Sequence, residues 1–182
     1  LTVSPYGSDS STLMVGLENG YVLKVENANT NSPTWTNLTG GSFLGSVSDI
    51  EFGANENEIF VTFHNYAVDN VFYSSDGGQN WQSKEGDLPD LPVRCLLQNP
   101  IVPNEVIIGT DLGVWYTKNF KDTSPNWQQG FNGMSDVRVT DMDMRDDYAV
   151  FASTYGRGVF SSYFDSDVPM LRLSSVQSNI KI

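Results

Sequence analysis

Three of the four tryptophans of this 182-residue chain, Trp35, Trp81 and Trp127, stand 46 residues apart. A large side chain that recurs at a fixed step marks a unit built several times over, and such a repeat constrains the fold more tightly than local propensity does. Val47, Val93 and Val139 keep the same step, and "VSDIEF", "VRCLLQ" and "VTDMDM" align behind them without a gap. A third set, "LMVGLENGYV", "IFVTFHNYAVDNVF", "VIIGTDLGVW" and "VFASTYGRGVF", aligns with small slips. Each of its members is an apolar run, a polar or glycine loop and a second apolar run.

Every unit therefore reads as four short strands. In the second unit they fall near residues 48–52, 58–63, 70–74 and 80–84, with "GANEN", "HNYAVD" and "SDGGQ" as the turns. No segment sustains a helical period, whereas "EIFVTF" and "NVFYSS" alternate as strands do. Four-stranded antiparallel units at about 46 residues predict an all-β fold, a β-propeller or the C-terminal segment of a larger one. The blades are expected at 1–46, 47–92 and 93–138, with a partial last blade at 139–164 and a linker or tail at 165–182. That is fewer blades than the roughly four to eight of a usual closed ring. Either further blades or a partner chain would then have to cover the open sheet faces. A small ring completed by the N-terminal strand is the alternative.

Composition narrows the partners. The net charge of −12 repels a phosphate backbone, so nucleic acid is excluded as a partner, while glycans, cations and basic proteins stay open. Only 18% of residues are charged, and Ser, Thr, Asn and Gly fill the surface, as in extracellular β-rich proteins. No apolar run is long enough to span a bilayer, and no signal peptide is visible. Cys95 is the one cysteine, so no intrachain disulfide forms; in the apolar run "VRCLLQ" it reads as a small core hydrophobe.

The stretch Ser74-x-Asp76-x-Gly78-x-x-Trp81 resembles the Asp-box, or bacterial neuraminidase repeat, at every defining position. Similar repeats occur in sialidases, xyloglucan-active endoglucanases and sortilin-type propellers. At the equivalent places, Ala28, Thr30 and Ser32 precede Trp35, and Phe120, Asp122 and Ser124 precede Trp127, so those boxes have decayed. The resemblance implies a structural role, in the hairpin joining the third and fourth strands of a blade, away from the usual ligand rim. The physics agrees: Asp and Ser side chains accept from free backbone N–H groups in tight turns, and glycine supplies the unusual backbone angles. One carboxylate with no ligand ladder is a poor calcium site, so no cofactor is expected beyond that weak possibility.

Ligands of such propellers sit on the opposite rim, made by the loops between second and third strands and by the blade-to-blade crossings. Those loops hold Glu18, Asn19, His64, Tyr66, Asp69, Asp111, Tyr155 and Arg157, and the crossings add Phe43, Asp87, Asp90, Phe131 and Asp136. His64, Tyr66, Asp69, Asp111, Tyr155 and Arg157 are the candidate ligand-binding residues, since aromatic faces stack on sugars and carboxylates bond hydroxyls. Arg157, between two glycines, can meet a ligand carboxylate or pair with an acidic neighbour such as Asp111.

Sialidase chemistry needs three clustered arginines and a tyrosine–glutamate pair, and Arg94, Arg138, Arg145 and Arg157 do not stand in that family's arginine motif. A glycanase would use two aspartates as acid and base; Asp87, Asp111 and Asp141 are present, with no motif that singles out a pair. The expected function is binding or display of a glycan or protein ligand, with no complete catalytic site. A fragment of a glycoside hydrolase is the alternative. The serine-rich tail closing on "NIKI" resembles the approach to a sorting domain of type IX secretion substrates of the Bacteroidota. That resemblance implies export to the medium or outer cell surface and contact with the secretion machinery.

Overall fold

The structure is a computed structural model that describes residues 1–7, 11–130, 133–134 and 136–164. Strands β1 (Thr2–Val3), β2 (Leu13–Gly16), β3 (Val22–Glu26) and β4 (Thr34–Asn37) form the first antiparallel sheet in sequence order. The second comprises β5 (Val47–Phe52), β6 (Ile59–Phe63), β7 (Val71–Ser74) and β8 (Gln82–Ser83). The third comprises β9 (Val93–Gln98), β10 (Val106–Thr110), β11 (Gly113–Thr117) and β12 (Gln128–Gly130). Among the described residues the fourth sheet has three strands, β13 (Val139–Met144), β14 (Val150–Thr154) and β15 (Gly158–Ser162). The fold is all-β, as the repeat predicts. No described helix is long and apolar enough to cross a membrane. Phe131 and the segment 165–182 lie outside the described residues.

The sheets stack face to face, and strand alternation sends successive side chains to opposite neighbours. In β6, Ile59, Val61 and Phe63 join Met14 and Val22 of the first sheet in one core. The intervening Phe60 joins Val106, Ile108 and Trp127 of the third sheet in another. A strand covered on both faces loses its polar alternation, which is why "IFVTF" and "VIIGT" are buried throughout. The third core lies between the last two sheets, around Ile107, Val139, Met142, Val150 and Ala152.

Directed bonds accompany this packing. The Trp81 indole N–H donates to the Leu38 carbonyl at 2.7 Å, and that of Trp127 to the Lys84 carbonyl at 3.0 Å. The Lys84 ammonium, itself buried, donates to the Asp122 carbonyl at 2.8 Å and lies 5.9 and 5.8 Å from the Tyr73 and Phe120 ring centroids. Aromatic faces favour a cation in such a place.

Two details differ from the sequence reading. The fourth strand of the second sheet is only Gln82–Ser83, because the Asn80 N–H turns back to the Asp76 carboxylate instead of pairing across the sheet. Phe43, expected on the ligand rim, is buried, with ring centroids 5.1, 4.8 and 5.1 Å from those of Phe63, Phe72 and Trp81. An aromatic ring in a crossing gains more from the inter-sheet core than from water.

Inner strands come closest where a glycine removes the side chain. A Cβ on Gly109 would stand 2.5 Å from Cys95 Sγ and 2.6 Å from Val139 Cγ1. Gly109→Ala is expected to destabilise the chain by about 1–3 kcal/mol through overpacking. Denaturant unfolding reads this, and an unchanged midpoint would show that the third and fourth sheets have room to separate.

Candidate functional site

The hairpin between β7 and β8 is closed by its own side chains. Ser74 Oγ accepts from the Gly78 N–H at 2.8 Å and the Asp76 N–H at 3.3 Å, and donates to Asp76 Oδ1 at 2.8 Å. Asp76 accepts from the Asn80 N–H at 2.9 Å and the Asn80 amide at 2.7 Å. The Asn80 bonds, then those from Ser74, hold the Asp76 carboxyl down at about 2. Gly77 and Gly78 have φ of 73° and 85°, where an L side chain is strained. Both Asp76 oxygens are thus engaged within the turn. Among the described residues no group of three or more His, Cys, Asp or Glu side chains is placed to hold a metal ion.

The corresponding hairpin of the third sheet reaches a similar shape by other means. Phe120 occupies the place of Ser74 and is fully buried, while Asn119 accepts from the Asn126 N–H at 3.0 Å and donates to Asp122 at 2.9 Å. Asp87 belongs to this end of the molecule: it accepts from the Trp127 N–H at 2.6 Å, beside the hairpin between β11 and β12. The sequence reading placed it on the opposite rim because the length of the crossing does not reveal how far along the sheet the chain has travelled.

At the other end, the loops joining second to third strands lie against the crossings. The Val47 N–H donates to the Leu17 carbonyl at 3.2 Å, the Ser46 N–H to Asn65 Oδ1 at 2.7 Å, and the Ala67 N–H to Asp90 Oδ1 at 2.6 Å. The Gly113 N–H reaches the Val137 carbonyl at 2.9 Å, and the Tyr155 N–H reaches the Arg138 carbonyl at 2.9 Å. These bonds couple loops 17–21, 64–70, 111–112 and 155–157 to the crossings beside them. On these loops Tyr66 and Tyr155 are 61% and 74% exposed, and Asp69 and Arg157 are exposed as well. His64 is half-buried, and its Nδ1 has no hydrogen-bond partner.

Asp111 sits between two guanidinium groups. Arg94 Nε donates to Oδ1 at 2.6 Å; Arg138 approaches through Nε at 3.1 Å and Nη2 at 3.3 Å. The Arg138 guanidinium also lies 5.9 Å from the Tyr155 ring centroid. Sequence reasoning weighed these arginines only against the sialidase arginine motif. It also passed over Tyr21 and Leu112, which are exposed on the loops of the other two sheets that correspond to those of Tyr66 and Tyr155. The signal was available: "LENGYV" and "DLGVW" align with the loops that carry those tyrosines, and only small slips in spacing hide the match.

A third group of residues lines the inner strands. Asp49 of β5 accepts from the Leu96 N–H of β9 at 3.0 Å and from the Ile50 N–H at 2.8 Å, so it ties one sheet to the next. Burial, and then the charges of Asp49, Asp141 and Asp143, push the Glu51 carboxyl up to about 8. Burial and the same acidic surroundings raise the Cys95 thiol well above its ordinary value, so it is held as a neutral core group.

No protein-family model and no curated protein matches the chain. Solved structures do. The chain is similar to an ancestral GH74 enzyme, with a TM-score of 0.62 and 16% identity over 84% of this chain and 21% of that one. It is also similar to the GH74 xyloglucanase of Xanthomonas campestris, with a TM-score of 0.61 and 14% identity over 89% of this chain and 28% of that one. The chain thus spans about a quarter of the length of these structures, and at such identities the likeness shows the β-propeller fold alone.

The raised Glu51 carboxyl has a definite linkage sign. The folded chain keeps this proton up to about pH 8, whereas an ordinary carboxyl loses it near 4.5. Its stabilisation is therefore full below pH 4.5 and is lost as pH rises towards 8. Glu85, pushed up to about 7 chiefly by burial, acts in the same direction. Stability is expected to fall by on the order of 1–3 kcal/mol between pH 5 and pH 8, and Glu51→Gln should flatten the profile. Melting curves across this range check it; a Gln variant with the wild-type slope would contradict the assignment.

Proposed function

We propose that this chain is a run of consecutive blades from a larger exported β-propeller whose second-to-third-strand loops bind carbohydrate. The observation that carries the reading is the placement of exposed apolar rings and side chains, one loop after another. Tyr21, Tyr66, Leu112 and Tyr155 recur once per sheet on the loops that lie against the crossings. An aromatic face offers a flat apolar platform to a sugar ring, and a row of them fits an extended chain better than a compact ligand. Asp69, exposed on the same loop as Tyr66, supplies a carboxylate for sugar hydroxyls. The hairpins of the Asp-box type stand at the other end as turn closures. An acidic surface rich in Asn, Ser and Thr accords with a secreted or cell-surface location, and export by a type IX route remains part of the proposal.

Titration calorimetry with xyloglucan oligosaccharides and a panel of other neutral glycans tests it. Binding should weaken by about five- to tenfold for Tyr66→Ala and again for Tyr155→Ala, on the scale of one aromatic contact each. Equal affinities for wild type and double variant would sink the rim as the binding surface.

A second reading, part of a glycoside hydrolase, is favoured by the GH74 identity of the structural neighbours. Against a catalytic Asp111 stands its engagement by Arg94 and Arg138, and against Asp87 its bond to the Trp127 N–H beside the far hairpin. Release of reducing sugar by the full-length protein, abolished in Asp111→Asn, would establish this reading over the first.

A further inference from the structure

The first sheet has one face covered by the second sheet and one face on which no other described sheet lies, and that open face is built like a covered one. Met14 and Val22 are fully buried against the second sheet. The opposite face carries the half-buried Leu13, Val15 and Leu23, the buried Val25 and the exposed Trp35. Cross-strand partners share a face, and Leu13 pairs with Val25, Val25 with Trp35, and Val15 with Leu23. In the second sheet Ile59 and Val61 stand where Leu13 and Val15 do, and Phe72, paired with Val61, stands where Leu23 does. Those three are 2%, 0% and 2% exposed because the first sheet lies on them. In the third sheet Val106, Ile108 and Trp115 hold the same register and pack in the core shared with the second sheet.

The tryptophans give the same result independently. Trp81 and Trp127 each donate their indole N–H to a backbone carbonyl 43 residues upstream, just past the fourth strand of the preceding sheet. Trp127 is 5% exposed, whereas Trp35, at the same step of the repeat, is 61% exposed. A partly open apolar sheet face with an unburied tryptophan on it marks a surface that meets a partner.

We infer that this face is a docking surface for one further four-stranded unit of the same repeat, supplied by the polypeptide immediately upstream of β1. That unit covers Leu13, Val15 and Leu23 and presents the carbonyl just past its own fourth strand to the Trp35 indole. The inference rests on the reading of the chain as consecutive propeller blades. A second copy docking through its last sheet fits poorly. The face of that sheet turned away from the third sheet carries Asp141, Asp143, Ser153 and Ser161 beside Phe151 and Val159, and no fourth strand is described there to offer the carbonyl.

The test is hydroxyl-radical footprinting read by mass spectrometry, on the 182-residue chain and on the protein from its full reading frame. In the 182-residue chain Trp35 should oxidise at least tenfold faster than Trp127. In the full-length protein it should fall to the Trp127 level, and Trp35→Ala should lower the melting midpoint of that protein much more than that of the 182-residue chain. Three results would overturn the inference: a reading frame with no four-stranded pattern upstream, Trp35 still oxidising fast in the full-length protein, or protection of Trp35 in the 182-residue chain together with a dimer mass by light scattering. None of these measurements involves a sugar, so a failure here is distinct from a failure of the carbohydrate-binding rim.

Discussion

The packing of one sheet on the next, repeated through a tryptophan and a register of apolar side chains, is the interaction on which the rest of this molecule depends. A four-stranded sheet of such short strands cannot bury enough surface by itself to offset the entropy of ordering it. Stacked, each inner sheet gains two apolar faces, and the indole-to-carbonyl bonds of Trp81 and Trp127 fix the spacing in a direction where apolar contact alone would allow sliding. Lys84, Asp49 and Gly109 all act at these joints: one reaches a carbonyl across the sheets, one accepts an N–H from the next inner strand, and one makes room for close approach.

This division of labour separates the two ends of the molecule. The hairpins between third and fourth strands spend their polar groups on themselves: Ser74, Asp76 and Asn80 in one sheet, Asn119 and Asp122 in the next. The loops between second and third strands bond instead to the crossings, which frees Tyr66 and Tyr155 to face solvent. The stack makes the platform rigid, and the loop ends are where chemistry is displayed. Asp111, Arg94 and Arg138 belong to both roles, since they join the third sheet to the fourth and sit beside Tyr155.

Much of the architecture was legible in the sequence because it repeats. The tryptophan step and the valines gave the unit, and the alternation in "NVFYSS" gave strands that the structure places within one or two residues. The candidate site was legible only in part. Tyr66 and Tyr155 could be read as exposed because polar and glycine neighbours surround them. Phe43 could not be read as buried, because its loop sequence resembles that of an exposed turn. Asp111 looked like a free carboxylate or a partner for Arg157, and the arginines that converge on it come from positions 17 residues before it and 27 after it.

The sequence by itself determined the period, the strands and the turns, because these depend on neighbours along the chain: alternation, glycine angles and side chains that bond their own backbone. Only the tertiary structure decided which faces meet, which carboxylates share a low-dielectric space and which tryptophan is left in water. Those outcomes depend on distances between residues some 40 positions apart, where a repeat makes every copy look alike. Trp35, Trp81 and Trp127 are equivalent as letters, and what distinguishes them is whether a neighbouring sheet lies within reach.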